Sequence, residues 1–443
     1  MADPLIDSHE VSPGVYTLGT PLTPISIRDQ MVRGRWLVDR LLGSKILRPG
    51  YRVAVIGAGA GGATAAMRAA DLGLRVQLIE QQGAPFTVQA GASTRWIDPA
   101  QYDWPSDHWQ MGRFPWGSGP RMPLGFGAGF ASRLATVWTV ALARAVLRSR
   151  GLLTVSPMST VTGLTPTARG FVLSLKTTPM PGRPVARTRP RITRPVQAVI
   201  WAVGHGMERH TLPNARGGVF SSRPFWSADK LTATSCGNTT TSTPNVLVIG
   251  AGDGALQDFI RAATGKISAR DVIALLPIPD DVLVEAASIG MQTNAALISS
   301  SSATDDRRIH QLRHSKFVDV VKRYLARSPP TIPLRGDVGS VTLTCSEDYF
   351  TAFYGLNCFV ALLLLAQSAG TRRLSMQPHL SAKEIDDSSP RRIARFVTKA
   401  GLPHAITADE VVIRIGINPA SAVLPIPASR LNRTRHHLPF HIP

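Results

Sequence analysis

The stretch YRVAVIGAGAGGATAAMRAADLGLRVQLIE, residues 51–80, decides the fold. An apolar run is followed by a glycine-rich turn, an alanine-rich segment and a second apolar run. That succession within about 30 residues predicts one βαβ unit with parallel strands. Gly57, Gly59 and Gly62 supply the spacing GxGxxG directly after the first strand and at the start of the helix, with Gly61 beside them. The first glycine permits the tight turn, the second lets backbone approach a pyrophosphate, and the third lets the helix pack close to the strand. The helix then turns its free N–H groups and positive dipole end toward that pyrophosphate. Glu80 ends the second strand, about 20 residues beyond the turn, where a carboxylate accepts hydrogen bonds from an adenosine ribose.

Working outward, the chain repeats the pattern at NVLVIGAGDGALQDFIRAA, residues 245–263, with Gly250, Gly252 and Ala255 in the three glycine places. The next apolar segment, Asp271 to Leu276 in DVIALLPIPDD, reads as the strand that follows this helix. It carries no acid at the ribose position and no Arg for a 2′-phosphate, so NADH and NADPH stay equal at this point. Asp258 is expected to be a solvated helix residue, and Asp253 to stand where it weakens phosphate binding. Elsewhere helices are predicted over about 27–46, 131–150, 280–330 and 354–368, and short strands over 152–177. An apolar strand from Ala198 to Val203 stops at Gly204, and strands are predicted at 341–345 and 410–416, while residues 1–26 read as irregular.

The chain has 443 residues, 44% of them hydrophobic, enough for two or three domains with their own cores. Its first residues, MADPLIDSHE, lack the basic and apolar regions of a secretory signal. The longest apolar run, Cys358 to Ala366, falls well short of the roughly 20 residues of a bilayer-spanning helix. A cytoplasmic location follows as the expectation, and Cys236, Cys345 and Cys358, with no CxxC pair, agree with a reducing compartment. The net charge of +20 taken alone points to nucleic acid. The arginines are scattered, however, apart from Arg183, Arg187, Arg189, Arg191, Arg194 and the tail RLNRTRHH. No stacking-aromatic pattern accompanies them, which argues against a nucleic-acid partner and for a small-molecule substrate.

Two such units, separated by a β-rich excursion and an apolar strand ending in glycine, resemble the flavoproteins with two dinucleotide-binding domains. That superfamily includes the pyridine nucleotide-disulfide reductases and the flavin-containing and N-hydroxylating monooxygenases, and the likeness covers roughly residues 50–277. It implies an α/β fold of two Rossmann-like domains with a small β-meander, the second domain inserted in the first. The division expected is an N-terminal extension and helix over 1–50, an FAD-binding domain over 51–210 and about 335–424, an NAD(P)-binding-like domain over 211–334, and a basic tail over 425–443. The resemblance implies FAD at Gly57, Gly59, Gly61, Gly62 and Glu80, with Arg95 among the cofactor-binding residues. It further implies that the Val161 backbone meets the adenine, that Gly204 lies beside the flavin, and that NAD(P)H is held at Gly250, Gly252 and Ala255.

The departures from the family pattern are as informative. No CxxC follows either turn, which sets the disulfide-reductase branch aside. GGVFSSRPFWSADK, residues 217–230, has Phe220 and Trp226 but lacks the histidine of the Baeyer–Villiger and N-hydroxylating fingerprint. The family's C-terminal Gly-Asp has no clean counterpart, since Asp337 comes early and Gly416 has no acid after it.

The segment RWIDPAQYDWPSDHW, residues 95–109, gathers polar groups among tryptophans, so Tyr102, Asp103 and His108 are candidates to line a substrate pocket. The alternative is a tightly packed structural loop. His205 either hydrogen-bonds the flavin or caps a turn, with the turn preferred. The function expected is an FAD-dependent oxidoreductase, reduced by NAD(P)H and passing electrons to oxygen or a small organic substrate in the manner of a monooxygenase. The alternatives are a flavin oxidase or dehydrogenase with a vestigial nicotinamide site, and a non-catalytic nucleotide- or nucleic-acid-binding protein.

Overall fold

The computed structural model describes residues 3–19, 22–23, 25–106, 122–178, 191–238, 240–300, 302–327, 329, 331–418 and 436–437. The chain divides into two compact units: Met1–Ser93 with Gly112–Met207 and Asn418–Pro443, and Thr94–Met111 with Glu208–Ile417.

In the first unit the chain runs through β1 (Glu10–Ser12), β2 (Val15–Thr17), α1 (Ile27–Gly43), β3 (Arg52–Ile56), α2 (Ala60–Asp71), β4 (Arg75–Ile79), α3 (Ala131–Arg148), β5 (Leu153–Ser156), an antiparallel meander β6 (Ser159–Thr167), β7 (Gly170–Thr177) and β8 (Arg191–Ile192), and β9 (Ala198–Trp201). The sheet has the order β1-β2-β9-β3-β4-β5, and apart from the β1–β2 pair its strands are parallel. Parallel strands are covered on both faces and so read as continuous apolar runs. Val53, Ala54, Val55 and Ile56 of β3 are accordingly all buried. The N-terminal residues, expected to be irregular, form a short helix at Pro4–His9 and the two strands β1 and β2.

Helix α1 begins at Ser26, whose hydroxyl accepts from the Asp29 amide while the Asp29 carboxylate accepts from the Ser26 amide, a reciprocal cap that satisfies two otherwise orphaned donors. Helices α1 and α2 cross where both carry glycine: a Cβ on Gly34 would lie 2.5 Å from the Gly61 carbonyl oxygen.

The second unit repeats this plan. It comprises β10 (Asn245–Ile249), α4 (Asp253–Thr264), α5 (Ala269–Ile273), α6 (Asp280–Ile298), α7 (Ala303–Arg327), β11 (Ser340–Thr344), α8 (Gly355–Gln367), β12 (Leu374–Gln377), the meander β13 (Leu380–Asp386), β14 (Arg392–Thr398) and β15 (Pro403–Ala408), and β16 (Glu410–Ile413). Its parallel sheet has the order β12-β11-β10-β16, which matches β5-β4-β3-β9 position by position. In both units the antiparallel meander immediately precedes the strand that flanks the glycine-turn strand.

Two sequence expectations are corrected here. The apolar segment at 271–276 is no strand: Ser268 and Asp271 form a capping box that starts helix α5, and the neighbour of β10 is β11. Residues from about 335 to Ile417 do not rejoin the first unit, because β11, β12 and β16 hydrogen-bond into the sheet of β10. The α/β class and the insertion of the second unit within the first stand, and the 425–443 tail lies outside the described residues except for 436–437.

The α1–α2 crossing yields a test. A valine at Gly34 must push its Cβ into the Gly61 carbonyl, and such overpacking costs about 1–3 kcal/mol. Urea denaturation of Gly34→Val is expected to show that loss, and unchanged stability would contradict the crossing.

Candidate dinucleotide sites

In the first unit the turn between β3 and α2 is built by contacts that exclude side chains. Gly57 has φ +101°, and a Cβ there would meet the Ala202 carbonyl oxygen at 2.4 Å. A Cβ on Gly62 would meet the Gly57 carbonyl oxygen at 2.0 Å, so α2 rests directly on the turn. A Cβ on Gly61 would meet Gln30 of α1 at 3.1 Å. Gly59 differs, since a Cβ there would meet nothing within 4 Å, and it is the N-cap of α2 with no side chain capping the helix. The glycine beside the predicted pyrophosphate path thus faces open space above uncapped helix amides.

Glu80 follows β4 and is buried. Its Oε2 accepts from the Ala58 amide at 2.6 Å and its Oε1 from the Gln82 amide at 2.8 Å. The carboxylate is therefore fixed beside the turn, and each oxygen keeps a lone pair for a further donor. Val161 lies on β6 with its side chain in the apolar cluster of Ile79 and Leu175, and the Ser159 amide that precedes it donates to the Glu80 carbonyl at 2.8 Å. Gly204 is left-handed at φ +84° with open space at its Cβ position. The next residue, His205, has a structural partner: the Gln30 amide oxygen, turned toward it, accepts from His205 Nε2 at 2.8 Å and from Arg33 Nη1 at 3.1 Å. Burial, then the Arg33 charge, against the opposing pull of Asp29, pushes the His205 imidazole down to about 4.

The second turn copies this geometry. Gly250 has φ +136° and a Cβ there would meet the Arg414 carbonyl oxygen at 2.1 Å. The Gly57 amide donates to the Ile79 carbonyl and the Gly250 amide to the Thr344 carbonyl, both at 2.8 Å. Ala255 stands in the third place, buried, with its Cβ 3.4 Å from where a Gly250 Cβ would be. A Cβ on Gly252 would have one near neighbour, the Thr351 carbonyl oxygen at 3.8 Å. Asp253, the first residue of α4, turns its carboxylate to the start of α8: it accepts from Tyr354 N at 3.1 Å, Asn357 Nδ2 at 2.8 Å and Gln257 Nε2 at 2.8 Å. Burial raises its pKa against those hydrogen bonds and Arg313.

Residues 51–257 match the family model described as pyridine nucleotide-disulphide oxidoreductase. Over that stretch, a little under half of its length, the chain is similar to that family. No curated protein matches it. Among solved structures it is similar to Lactococcus lactis thioredoxin reductase (13% identity, 83% of this chain and 77% of that one, TM-score 0.39). It is also similar to the bacillithiol disulfide reductase of Staphylococcus aureus (11%, 84% and 77%, TM-score 0.40) and to the ornithine N-hydroxylase of Kutzneria sp. 744 (12%, 85% and 83%, TM-score 0.37). At such identities and scores these likenesses carry no argument about the reaction.

Arg95, expected among the cofactor-binding residues, takes part in a buried ion-pair network. Its guanidinium donates to Asp258 Oδ2 at 3.1 Å and pairs with Asp229 at 3.0 Å. Asp258 also accepts from Arg261 at 2.9 Å and Arg414 at 2.8 Å, and all four side chains are buried. Arg95 stacks over the Phe225 ring at 4.1 Å. The expectation of Asp258 as a solvated helix residue is thus overturned, because Arg95 and Arg414 from distant parts of the chain, and Arg261 one turn along its own helix, converge on it. Its neighbours in sequence, Gln257 and Phe259, carry no sign of this.

Tyr102 and Asp103 belong to a packed segment. Asp98 caps the 3₁₀ turn Pro99–Tyr102 and pairs with Arg270 at 3.2 Å. The Tyr102 ring lies 4.5 Å from Tyr354 and the Trp104 ring 5.1 Å from Phe359, both on or beside α8. Asp103 is buried, and His108 lies outside the described residues. The packed-loop alternative fits these contacts better than a substrate pocket does. The second unit does contain a cavity of about 340 Å³, lined by Arg223, Lys230, Cys236, Arg392 and Glu410 among others, which no sequence motif announced. Among the described residues no helix is long and apolar enough to cross a membrane.

Burial alone would raise the Asp258 carboxyl, but Arg95, Arg414 and Arg261 hold it well below the usual carboxylate range. Its stabilisation is therefore complete above the unfolded carboxyl pKa near 4 and is lost as pH falls through the depressed folded value. Asp258→Asn leaves buried arginines uncompensated, and urea denaturation at neutral pH is expected to show a loss of about 3–5 kcal/mol. A loss under about 1 kcal/mol, the scale of an exposed ion pair, would contradict the network.

Proposed function

We propose that this chain is an FAD-dependent oxidoreductase that holds the FAD pyrophosphate at Gly57, Gly59 and the first amides of α2, with Glu80 on the adenosine ribose. The observation that carries the reading is the open space at Gly59 above an uncapped helix, in a turn whose other glycines are closed by protein contacts. The flavin, when bound, supplies a two-electron acceptor and donor. The chain's part is to position it, exclude solvent and admit the partner substrates.

The reading includes reduction by a nicotinamide dinucleotide held at Gly250, Gly252 and Ala255, with electrons passed to oxygen or a small organic substrate. Dithiol exchange receives no support from the cysteines. Cys236, Cys345 and Cys358 are unpaired and buried. Burial pushes the first up to about 11, the second up to about 12 and the third well above its ordinary value. A thiol, not a thiolate, stands at each position at neutral pH, and the thiolate is the nucleophile such exchange needs. The monooxygenase branch draws no support from Phe220 and Trp226: Phe220 belongs to an apolar core cluster, and Trp226 packs edge-on against Phe225 at 5.1 Å.

Two glycine variants test the reading. Gly59→Val should fold as the parent does, since its Cβ would meet no protein atom within 4 Å, yet lose most of its bound flavin. Gly57→Ala should lose stability first, because its Cβ collides with Ala202. Flavin-to-protein ratios and denaturation curves measured together decide the matter. Full flavin content in a folded Gly59→Val protein would refute the proposed pyrophosphate position.

A further inference from the structure

The ribose end of the second turn lies on β11, and its chemistry is readable once that strand is placed. Because Gly250 reaches Thr344 as Gly57 reaches Ile79, the residue that stands where Glu80 stands is Cys345. Its thiol is buried and donates to the Glu347 carbonyl at 3.0 Å. From there to the start of α8 the chain reads CSEDYFTAFY, residues 345–354, with Glu347 and Asp348 as its charged residues and no Lys or Arg. Ser346 and Asp348 are exposed and Glu347 is half-buried.

Basic groups near this loop come from α7 and from His379, whose neighbour Leu380 donates its amide to the Cys345 carbonyl. The charge of Arg307 is felt at Tyr349, and His314, lowered by burial despite Asp348, packs edge-on against Phe350 at 4.8 Å. Arg313 is buried and stacks over the Phe353 ring at 4.8 Å. Arg307 therefore stands as the one exposed arginine of these, against two carboxylates in the loop itself.

We infer that the second unit selects NADH over NADPH, with Glu347 and Asp348 as the specificity-determining residues. An adenosine ribose with both hydroxyls free offers donors to carboxylate acceptors. A 2′-phosphate brings about two negative charges to the same place, where repulsion from like charges at short range is substantial even in a partly solvated site. The inference rests on the reading that the second turn binds a nicotinamide dinucleotide, and it is independent of the flavin.

The test uses purified protein saturated with FAD, titrated calorimetrically with ADP-ribose and with 2′-phospho-ADP-ribose, neither of which can reduce a flavin. ADP-ribose is expected to bind at least about tenfold more tightly. The double variant Glu347→Arg, Asp348→Arg is expected to narrow or reverse that ratio. Equal binding, tighter binding of the phosphorylated probe, or binding of neither overturns the inference. The comparison in the parent protein stands alone if the variant does not fold. Flavin content, read from the visible absorbance of the same sample, reports separately on the FAD reading, so a failure of one is not mistaken for a failure of the other.

Discussion

The carbonyl oxygen of Ala202 occupies the place where a side chain on residue 57 would have to begin, and the carbonyl of Arg414 does the same to residue 250. Both contacts arise because a flanking parallel strand ends level with the glycine-turn strand: the Ala202 amide donates to Ile56, and the Arg414 amide to Ile249. A left-handed glycine is the residue that fits such a corner at no steric cost. The corner in turn aims the following helix so that its unpaired amides meet the space beside the strand ends. Once the three strands are in register, the site is a consequence of their packing and needs few dedicated side chains.

The same corner appears twice with different surroundings. In the first unit the residue after β4 is an acid whose oxygens are held by the Ala58 amide of the turn and by the Gln82 amide. In the second the corresponding residue is a buried thiol, and an aspartate at the first position of α4 is directed to the start of α8. The second unit also carries the Arg95, Asp229, Asp258, Arg261 and Arg414 network. Buried charges of this kind destabilise strongly when one partner is removed, so the network ties the segment around Arg95 to residues of Glu208–Ile417.

The features legible in the sequence were those with local signatures. The first βαβ unit was readable from residues 53–80 because apolar runs, glycine spacing and a terminal acid all fall within one short window. The second turn was readable for the same reason. Its partner strand was not, because α4 to α7 intervene between β10 and β11, and no local pattern says which later strand returns to the sheet. The apolar residues at 271–276 imitate a strand, while Ser268 and Asp271 supply the cap that makes them helical. The buried pairing of Arg95 with Asp258 was not legible because the two lie far apart along the chain. Tyr102 and Asp103 gathered polar and aromatic groups as a binding loop does, yet the rings pack on α8.

The central claim is that the Gly57 turn holds FAD. Its most direct test is to denature the purified protein, identify the released flavin by mass and measure its amount per chain, after adding FAD and removing the excess. The account predicts FAD, one per chain, taken up by the folded protein. A colourless protein that remains folded and retains no FAD after that treatment would contradict it.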